Sequence, residues 1–373
     1  LMAMTANELR QQFETLPSIA ALAALFEKGE KQVCASGLHG SAAAMLTAAL
    51  FAKLRKRSFF IVLNEEEEAG YFYNDLVQLL GDKQVHFLPS SFRRAVKYGQ
   101  RDAANEVLRT ETLSIMREAI EAHIVVSFPD ALAERVPPIA ELTAHTITLA
   151  QDESHDLTDL EEKLLALGFK RRDYVSDPGE FAVRGSILEV YSYASDLPYR
   201  IDFFGDDIES IRSFEVQTQL SEEKIQRIAI VPEMSQQEGN LVPISAYIPK
   251  DALFITKDAA YVGEVITHVF NEGFSFKAED AEGVVPKKER LLLDAPELMP
   301  ALRALPSLRF GAGKKEEKVE GATLAFRTQA QPLFHKNFDL LTTTFEDLAE
   351  RGYRLFICAD SSKQHERLRA IFE

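Results

Sequence analysis

Cysteine and basic residues are both scarce in this chain of 373 residues, and each shortage excludes a class of protein. The two cysteines, Cys34 and Cys358, lie far apart in sequence and inside apolar runs. They are predicted to be buried thiols of a cytoplasmic protein, because disulfide frameworks and zinc sites need more cysteines at closer spacing. Lys and Arg total 42 against 58 Asp and Glu, giving a net charge of −16. A general nucleic-acid binder is therefore not expected, since phosphate binding needs a basic face.

Membrane and catalytic signals are missing as well. No apolar run approaches the roughly 18 residues that span a bilayer, and the first residues lack the basic and apolar regions of a signal peptide. The 8 histidines are scattered, without the spacing of zinc ligands, and no G-x-S-x-G nucleophile elbow occurs. The sequence therefore predicts no membrane partner, no metal, no cofactor and no catalytic residue in this chain. Its last residues still follow a helical pattern without a C-cap, which predicts that the chain is part of a longer protein.

Alternating strand and helix signals make up most of the chain. They run through residues 1–150 and resume after about residue 232, and hydrophobic residues make up 46% of the chain, enough for sizeable cores. This alternation predicts an α/β fold with a largely parallel sheet. It includes one predicted strand at residues 142–149 and another at residues 353–358.

Clustered strand signals interrupt this pattern, most densely in Asp177–Ser221. Within it, Tyr199–Phe204 alternates between two faces, with Tyr199, Ile201 and Phe203 on one and Arg200, Asp202 and Phe204 on the other. Turns that contain Gly or Pro separate the segments. The pattern predicts a small antiparallel meander. Its outer face is predicted to carry Arg184, Arg200, Phe204 and, less directly, Arg212. We therefore predict three parts, an α/β unit at residues 1–150, an inserted β-rich α+β domain at 151–231, and a continuation of the α/β unit at 232–373.

The turn after the first predicted strand resembles a phosphate-binding loop that has lost its chemistry. Such a loop has the form G-x-x-x-x-G-K-[ST], in which Lys meets the phosphates and Ser or Thr binds Mg²⁺. This chain has Gly37, Gly40 and Ser41, followed by Ala42, Ala43 and Ala44. Without the Lys and the hydroxyl, the sequence predicts a strand, turn and helix that keep the shape of the loop without binding ATP.

Two charged clusters are open to more than one interpretation. The run Glu65–Glu68 is either the solvated first turn of a helix or a set of carboxylate metal ligands. The basic cluster contacts a phosphate backbone, contacts an acidic partner, or lies in a solvated loop; it consists of Arg93, Arg94, Lys97 and Arg101.

Two sequence runs carry a resemblance to a known family. They are D-P-G-E-F-A-V-R-G-S-I-L-E-V and L-P-Y-R-I-D-F-F-G-D-D-I-E-S-I-R-S-F, within residues 177–231. They resemble the excinuclease B subunit and the matching N-terminal module of the bacterial transcription-repair coupling factor (Mfd). The alanines at 42–44 favour the second, in which the nucleotide loop is vestigial, as does the short interval at residues 89–99, which leaves no room for the DNA-clamping hairpin of excinuclease B.

The resemblance implies a fold and a role. The fold is two degenerate P-loop NTPase or helicase-like lobes, 1a and 1b, with the antiparallel domain 2 inserted between them. Domain 2 would recruit the excinuclease A subunit to stalled RNA polymerase in transcription-coupled nucleotide excision repair. RNA polymerase and DNA would be bound, and ATP with Mg²⁺ used, by C-terminal parts of the family protein that this chain lacks. The alternative function is a nucleotide-dependent DNA helicase lobe of the excinuclease B type.

The same resemblance implies that Arg184, Arg200 and Phe204 contact excinuclease A, with Arg212 as an added candidate. From the residues alone, Arg184 either fixes the turn before Gly185 or faces a partner. Phe204 either packs in the core or anchors an interface, as aromatics often do. If they are interface residues, Arg200→Ala or Phe204→Ala should abolish binding while leaving the fold intact.

Overall fold

The computed structural model describes residues 4–91, 103–118, 120–233, 240–272, 288–310, 321–335, 337–359 and 361–372. The basic cluster of Arg93, Arg94, Lys97 and Arg101 lies outside these residues. All statements below concern the described ranges.

The first segment alternates helices and strands, as predicted. Its helices are α1 (Ala6–Glu14), α2 (Pro17–Glu27), α3 (Ala42–Lys53), α4 (Glu66–Leu80), α5 (Ala103–Glu118), α6 (Pro129–Leu132) and α7 (Ile139–Ala144). Its strands are β1 (Gln32–Ser36), β2 (Phe59–Val62), β3 (Val85–Leu88), β4 (Ile124–Ser127) and β5 (Ile147–Ala150). Thr5 and Glu8 form a reciprocal capping box at the start of α1.

The middle segment holds one helix and mostly short strands. The helix is α8 (Leu157–Ala166). The strands are β6 (Lys170–Arg171), β7 (Glu180–Arg184), β8 (Ile187–Val190), β9 (Tyr199–Phe204), β10 (Asp207–Phe214), β11 (Ser221–Lys224) and β12 (Arg227–Ile230).

The last segment returns to alternating elements. A 3-10 helix (Ile244–Tyr247) precedes the strands β13 (Leu253–Thr256), β14 (Ser307–Phe310) and β15 (Ala322–Ala325). Its helices are α9 (Ala259–Glu272), α10 (Lys288–Leu291), α11 (Ala295–Arg303), α12 (Phe338–Glu350) and α13 (Ser362–Phe372).

The first and last segments build one seven-stranded parallel sheet, in the order β15-β1-β14-β13-β2-β4-β3. The strands of the last segment lie among those of the first, with β13 between β14 and β2. Strand β2 is buried along its whole length, with Phe59 and Ile61 in one core and Phe60 and Val62 in the other. Such continuous apolar runs are typical of parallel strands covered by helices on both faces.

The middle segment forms a separate six-stranded sheet, in the order β11-β10-β9-β8-β7-β6. Its pairs are antiparallel except for the short β6–β7 pair. Strand β5, the last strand of the first segment, and β12, the last strand of the middle segment, pair with each other in an antiparallel ribbon. The described structure thus has a parallel α/β part and a separate antiparallel β-rich part. The limits of 1–150, 151–231 and 232–373 remain predictions.

One predicted strand starts too early, and another is wrong. Residues 142–149 begin inside helix α7, and the strand starts only at Ile147. Pro138 is the N-cap of that helix, and Leu142 is one of its buried residues, so the apolar Leu142 was assigned to a strand instead of the helix.

Residues 353–358 form no strand and are exposed, including Cys358, which was predicted to be buried. An apolar β-rich run forms a strand only where it meets a sheet edge, and this run pairs with no described strand. Cys34 is buried, as predicted. Helix α11 was missed, because Pro296 and Pro300 argue against a helix; Asp294 nevertheless caps it, and its Leu298 and Leu302 are fully buried.

Candidate functional site

The antiparallel sheet has an inner face that is buried in a core and an outer face that carries both exposed and buried side chains. On its inner face, Ile201 and Phe203 of β9 are buried in one core with Leu160 and Leu164 of α8. Because side chains alternate along a strand, Arg200 and its neighbours at 202 and 204 lie on the opposite face. The predicted inward and outward alternation of β9 is therefore confirmed, and the candidate residues lie on the outer face.

Two of the predicted arginines converge on one buried carboxylate, Glu189. The nitrogens Arg184 Nη2 and Arg200 Nη2 lie 2.6 and 2.7 Å from Glu189 Oε1, and Arg200 Nε donates to the same oxygen at 2.8 Å. Only 1% of the Glu189 side chain is exposed, against 40% for Arg184 and 17% for Arg200. We call these three residues the arginine–glutamate cluster.

Aromatic rings and backbone oxygens complete the surroundings of both arginines. Arg184 Cζ lies 4.8 Å from the ring centre of Tyr174, and Arg200 Cζ lies 4.4 Å from that of Phe214, as in cation–π pairs. Arg184 also donates to the Asp173 carbonyl at 2.9 Å, and Arg200 to the Gln219 carbonyl at 3.2 Å. Both guanidinium groups are thus held from several sides within the domain.

Arg212 belongs to a different ion pair on the same face. It binds Asp202 of β9, whose carboxylate also accepts a hydrogen bond from Ser210 Oγ at 2.8 Å. Arg212 lies directly across from Arg200 in the β9–β10 register, so the three arginines share one face.

Phe204 is the predicted site residue that projects farthest into solvent, with 80% of its surface exposed. It ends β9, where Gly205 at φ +63° turns the chain into β10. Core packing, one of the two interpretations of Phe204 from sequence, is therefore wrong.

Sequence reasoning missed three residues of this face. Glu189 was predicted only to be part of a strand. An acidic residue within the apolar run I-L-E-V indicates a side chain that points away from the core and pairs with a cation. Tyr174 and Leu220 are each 68% exposed, and Leu220 adjoins the Gln219 that accepts from Arg200. Their partners come from register and loop packing, which the sequence pattern does not specify.

The degenerate loop joins β1 to α3, as predicted, and is hydrogen-bonded to the chain beyond β15. Gly37 adopts φ +73°, and a Cβ at this position would lie 2.0 Å from the Phe326 carbonyl oxygen. Thr328 Oγ1 donates to the Gly37 carbonyl at 2.7 Å, and the His39 amide donates to Thr328 Oγ1 at 2.9 Å. One backbone amide of the loop is therefore already satisfied by a hydroxyl of the chain itself.

The three alanines form the first turn of α3, with Ser41 as its N-cap and Ala44 buried. Gly40 adopts φ +56° just before them. Neither Ala42 nor Ala43 can supply the ammonium or hydroxyl with which a phosphate-binding loop holds phosphate and Mg²⁺.

The acidic run Glu65–Glu68 starts helix α4, as one of its two interpretations predicted. Glu68 forms an ion pair with Lys257, while Glu65–Glu67 line a cleft of about 710 Å³ beside Asp130 and Glu264. Within the described ranges, no group of three or more metal-ligating side chains has the arrangement to hold an ion. Carboxylates at this position interact favourably with the N-terminus of the helix.

A half-buried carboxylate, Glu111, lies on helix α5. Burial and the nearby charge of Asp196 raise the pKa of Glu111 to about 7. Asp196 belongs to the loop before β9, so a charge of the antiparallel part acts on a helix that packs on the parallel sheet. In the described part of the chain, no helix is both long and apolar enough to cross a membrane.

The antiparallel part has a recognised family. The family model described as the UvrB interaction domain matches residues 147–235, which run from β5 through β12. This match covers the β5–β12 ribbon, helix α8 and the six-stranded sheet, including the arginine–glutamate cluster and Phe204.

The particular relatives are transcription-repair-coupling factors. That of Bacillus subtilis is 30% identical over 207 residues, 55% of this chain and 17% of the relative. Those of Staphylococcus haemolyticus and Myxococcus xanthus are 28% and 30% identical over 211 and 208 residues. The matched part of the chain spans only 17% of the length of these relatives. The chain thus carries a UvrB interaction domain within a region similar to the N-terminal region of transcription-repair-coupling factor homologues.

Proposed function

We propose that this chain recruits the excinuclease A subunit of nucleotide excision repair to stalled RNA polymerase. It acts as a protein-interaction module in transcription-coupled repair and does not hydrolyse ATP. Contacts with RNA polymerase and DNA, and ATP-driven movement with Mg²⁺, belong to other regions of the full-length protein.

The observation that carries the proposal is the pairing of a UvrB interaction domain with an exposed aromatic beside arginines on its outer face. Phe204 offers a large apolar surface that is almost wholly accessible, and Arg184 keeps an accessible edge beside Tyr174. Aromatic and Arg side chains supply most of the binding energy at protein interfaces. Partner binding therefore centres on Phe204 and Arg184.

The other two arginines contribute differently. Arg200 is mostly buried and bound to Glu189, so its first role is to hold the surface together. Arg212 is neutralised by Asp202 and lies one strand farther out. Both border the binding surface rather than forming its centre.

The degenerate loop supports the absence of ATP hydrolysis, since Ala43 stands where the phosphate-binding Lys is required. The helicase-lobe alternative predicts saturable ATP binding at residues 37–44. A calorimetric titration of the chain with ATP and Mg²⁺ should give no binding heat, and saturable heat would favour that alternative.

A titration with purified excinuclease A tests the recruitment role directly. Calorimetry should show saturable binding with one site per chain, persisting as salt is raised toward physiological strength. Absence of binding heat, together with no complex in a pull-down, would refute the proposal.

A further inference from the structure

We propose that Glu189 is a positioning residue that fixes Arg184 and Arg200 in the orientation in which the outer face meets its partner. This inference rests on the proposed function only where its test measures binding to the partner. The orientation of the arginines can be measured on the free chain.

The strand register explains how one carboxylate reaches two arginines. Glu189 of the central strand β8 lies directly across from Arg200 on β9 and from Ala182 on β7. Diagonal neighbours on one face of a sheet are within reach of long side chains, and the small Ala182 leaves room for Arg184, two residues along β7. The carboxylate therefore stands between the two guanidinium groups.

The contacts are concentrated on one oxygen. Glu189 Oε1 is approached by Arg184 Nη2 and by two nitrogens of Arg200, all within 2.8 Å. The other oxygen, Oε2, is buried and has no hydrogen-bond partner. A buried carboxylate with one unbonded oxygen costs folding free energy. Its presence is therefore better explained by a role in positioning its neighbours than by a gain in stability.

That role is to keep two cations together on one surface. With the negative charge removed, two guanidinium groups that share one oxygen would repel each other and move apart. Their rings, Tyr174 and Phe214, would then lose the aligned cations. Glu189 is itself 1% exposed, so it cannot touch a partner and acts through the arginines alone. Side chains held in the bound geometry lose less entropy on binding, which is the advantage of preorganisation.

The test compares Glu189→Gln with Glu180→Gln. Glu180 is the matched control, because it is also a buried carboxylate of this sheet, on β7, and is also paired with an arginine, Arg172. It contacts neither Arg184 nor Arg200. Titrations with purified excinuclease A should show binding weakened about tenfold or more by Glu189→Gln and less than about twofold by Glu180→Gln.

A double-mutant cycle separates positioning from general loss of structure. Combined with Arg184→Ala, Glu189→Gln should add little further loss of affinity, because both changes remove the same arrangement. Combined with Phe204→Ala, the two fold-changes should multiply, because Phe204 lies four residues along β9 from Arg200, about 13 Å away. Multiplication in both cycles, or wild-type affinity of Glu189→Gln, would overturn the inference.

Arginine Nε–H resonances of the free chain give a readout that needs no partner. In the wild type, the Arg200 signal should be shifted and protected from exchange; Glu189→Gln should return it to the position of a solvated arginine, and Glu180→Gln should not. If excinuclease A fails to bind the wild type, the proposed function fails while this spectrum still decides the positioning role. An unchanged Arg200 signal in Glu189→Gln would refute that role.

Discussion

At the scale of single residues, the arginines of the outer face differ in how strongly they are bound within the domain. Arg200 donates to a buried carboxylate and a backbone carbonyl and stacks on Phe214. Arg212 forms an ion pair with Asp202, which is more accessible than Glu189. The sequence alone predicted that Arg200→Ala would leave the fold intact, and the contacts of Arg200 with Glu189 and Gln219 argue otherwise.

Arg200→Ala should therefore destabilise the antiparallel domain by about 1–3 kcal/mol, because it removes several hydrogen bonds to the buried Glu189. Arg212→Ala should cost no more than about 1 kcal/mol, as expected for a partly exposed ion pair. Urea unfolding monitored by circular dichroism measures both. If both variants lost a similarly small free energy of unfolding, Arg200 would not be needed for the stability of the domain.

Gly37 gives a second prediction at this scale. Gly37→Ala places a methyl against the Phe326 carbonyl in a left-handed backbone, so it should cost about 2 kcal/mol or more. Gly40→Ala is the matched control: its φ is also positive, but no atom lies within 4 Å of the added Cβ, so about 1 kcal/mol is expected. Thermal unfolding of the two variants compares them, and equal melting temperatures would contradict the close packing of the loop against the chain beyond β15.

At the scale of elements, helix α5 and the loop before β9 place Glu111 and Asp196 close together. The pKa of Glu111 is raised from 4.5 to about 7 in the folded chain. The folded state therefore binds a proton more tightly than the unfolded state. Its stability is lowered above pH 7, where Glu111 is charged in both states, and this penalty disappears as the pH falls below 4.5.

Glu111→Gln should remove that penalty. At pH 8 the variant should be more stable than the wild type by up to about 3 kcal/mol, and at pH 4 the two should be nearly equal. Denaturant unfolding at the two pH values is the measurement. Glu118→Gln, at the exposed end of the same helix, is the control and should change little at either pH; a gain for Glu111→Gln that is the same at both would contradict the account.

The sequence predicted helices and strands well where the hydrophobic periodicity and the turn residues indicated the same boundaries. Strand β9 places successive side chains on alternate faces and is followed by Gly205, so both its extent and its outward face were predictable. Residues 353–358 have equally strong strand signals, but forming a strand requires an available sheet edge, which no local pattern encodes. Helix α11 was not predicted, because the prolines within it argue against a helix. The pairing of Arg184 and Arg200 on Glu189 depends on β7, β8 and β9 register, which long-range packing sets.

At the scale of the whole molecule, a UvrB interaction domain is inserted between two segments that share one parallel sheet. The β5–β12 ribbon brings the ends of the inserted part together, so the chain leaves and re-enters the α/β part at neighbouring places. The outer face of the inserted sheet lies opposite the core that α8 covers. The face that we propose binds a partner therefore does not include the degenerate nucleotide loop.

The central claim is that this outer face binds excinuclease A, and one pair of variants tests it most directly. Leu165 is an exposed apolar residue of α8, the helix that covers the inner face, and so serves as the matched control for Phe204. Calorimetric titration of excinuclease A should show Phe204→Ala weakened by about 2 kcal/mol or more, roughly thirtyfold, with Leu165→Ala close to wild type. Both variants should unfold at the wild-type urea midpoint. Unchanged affinity of a folded Phe204→Ala, or equal losses for both variants, would contradict the claim.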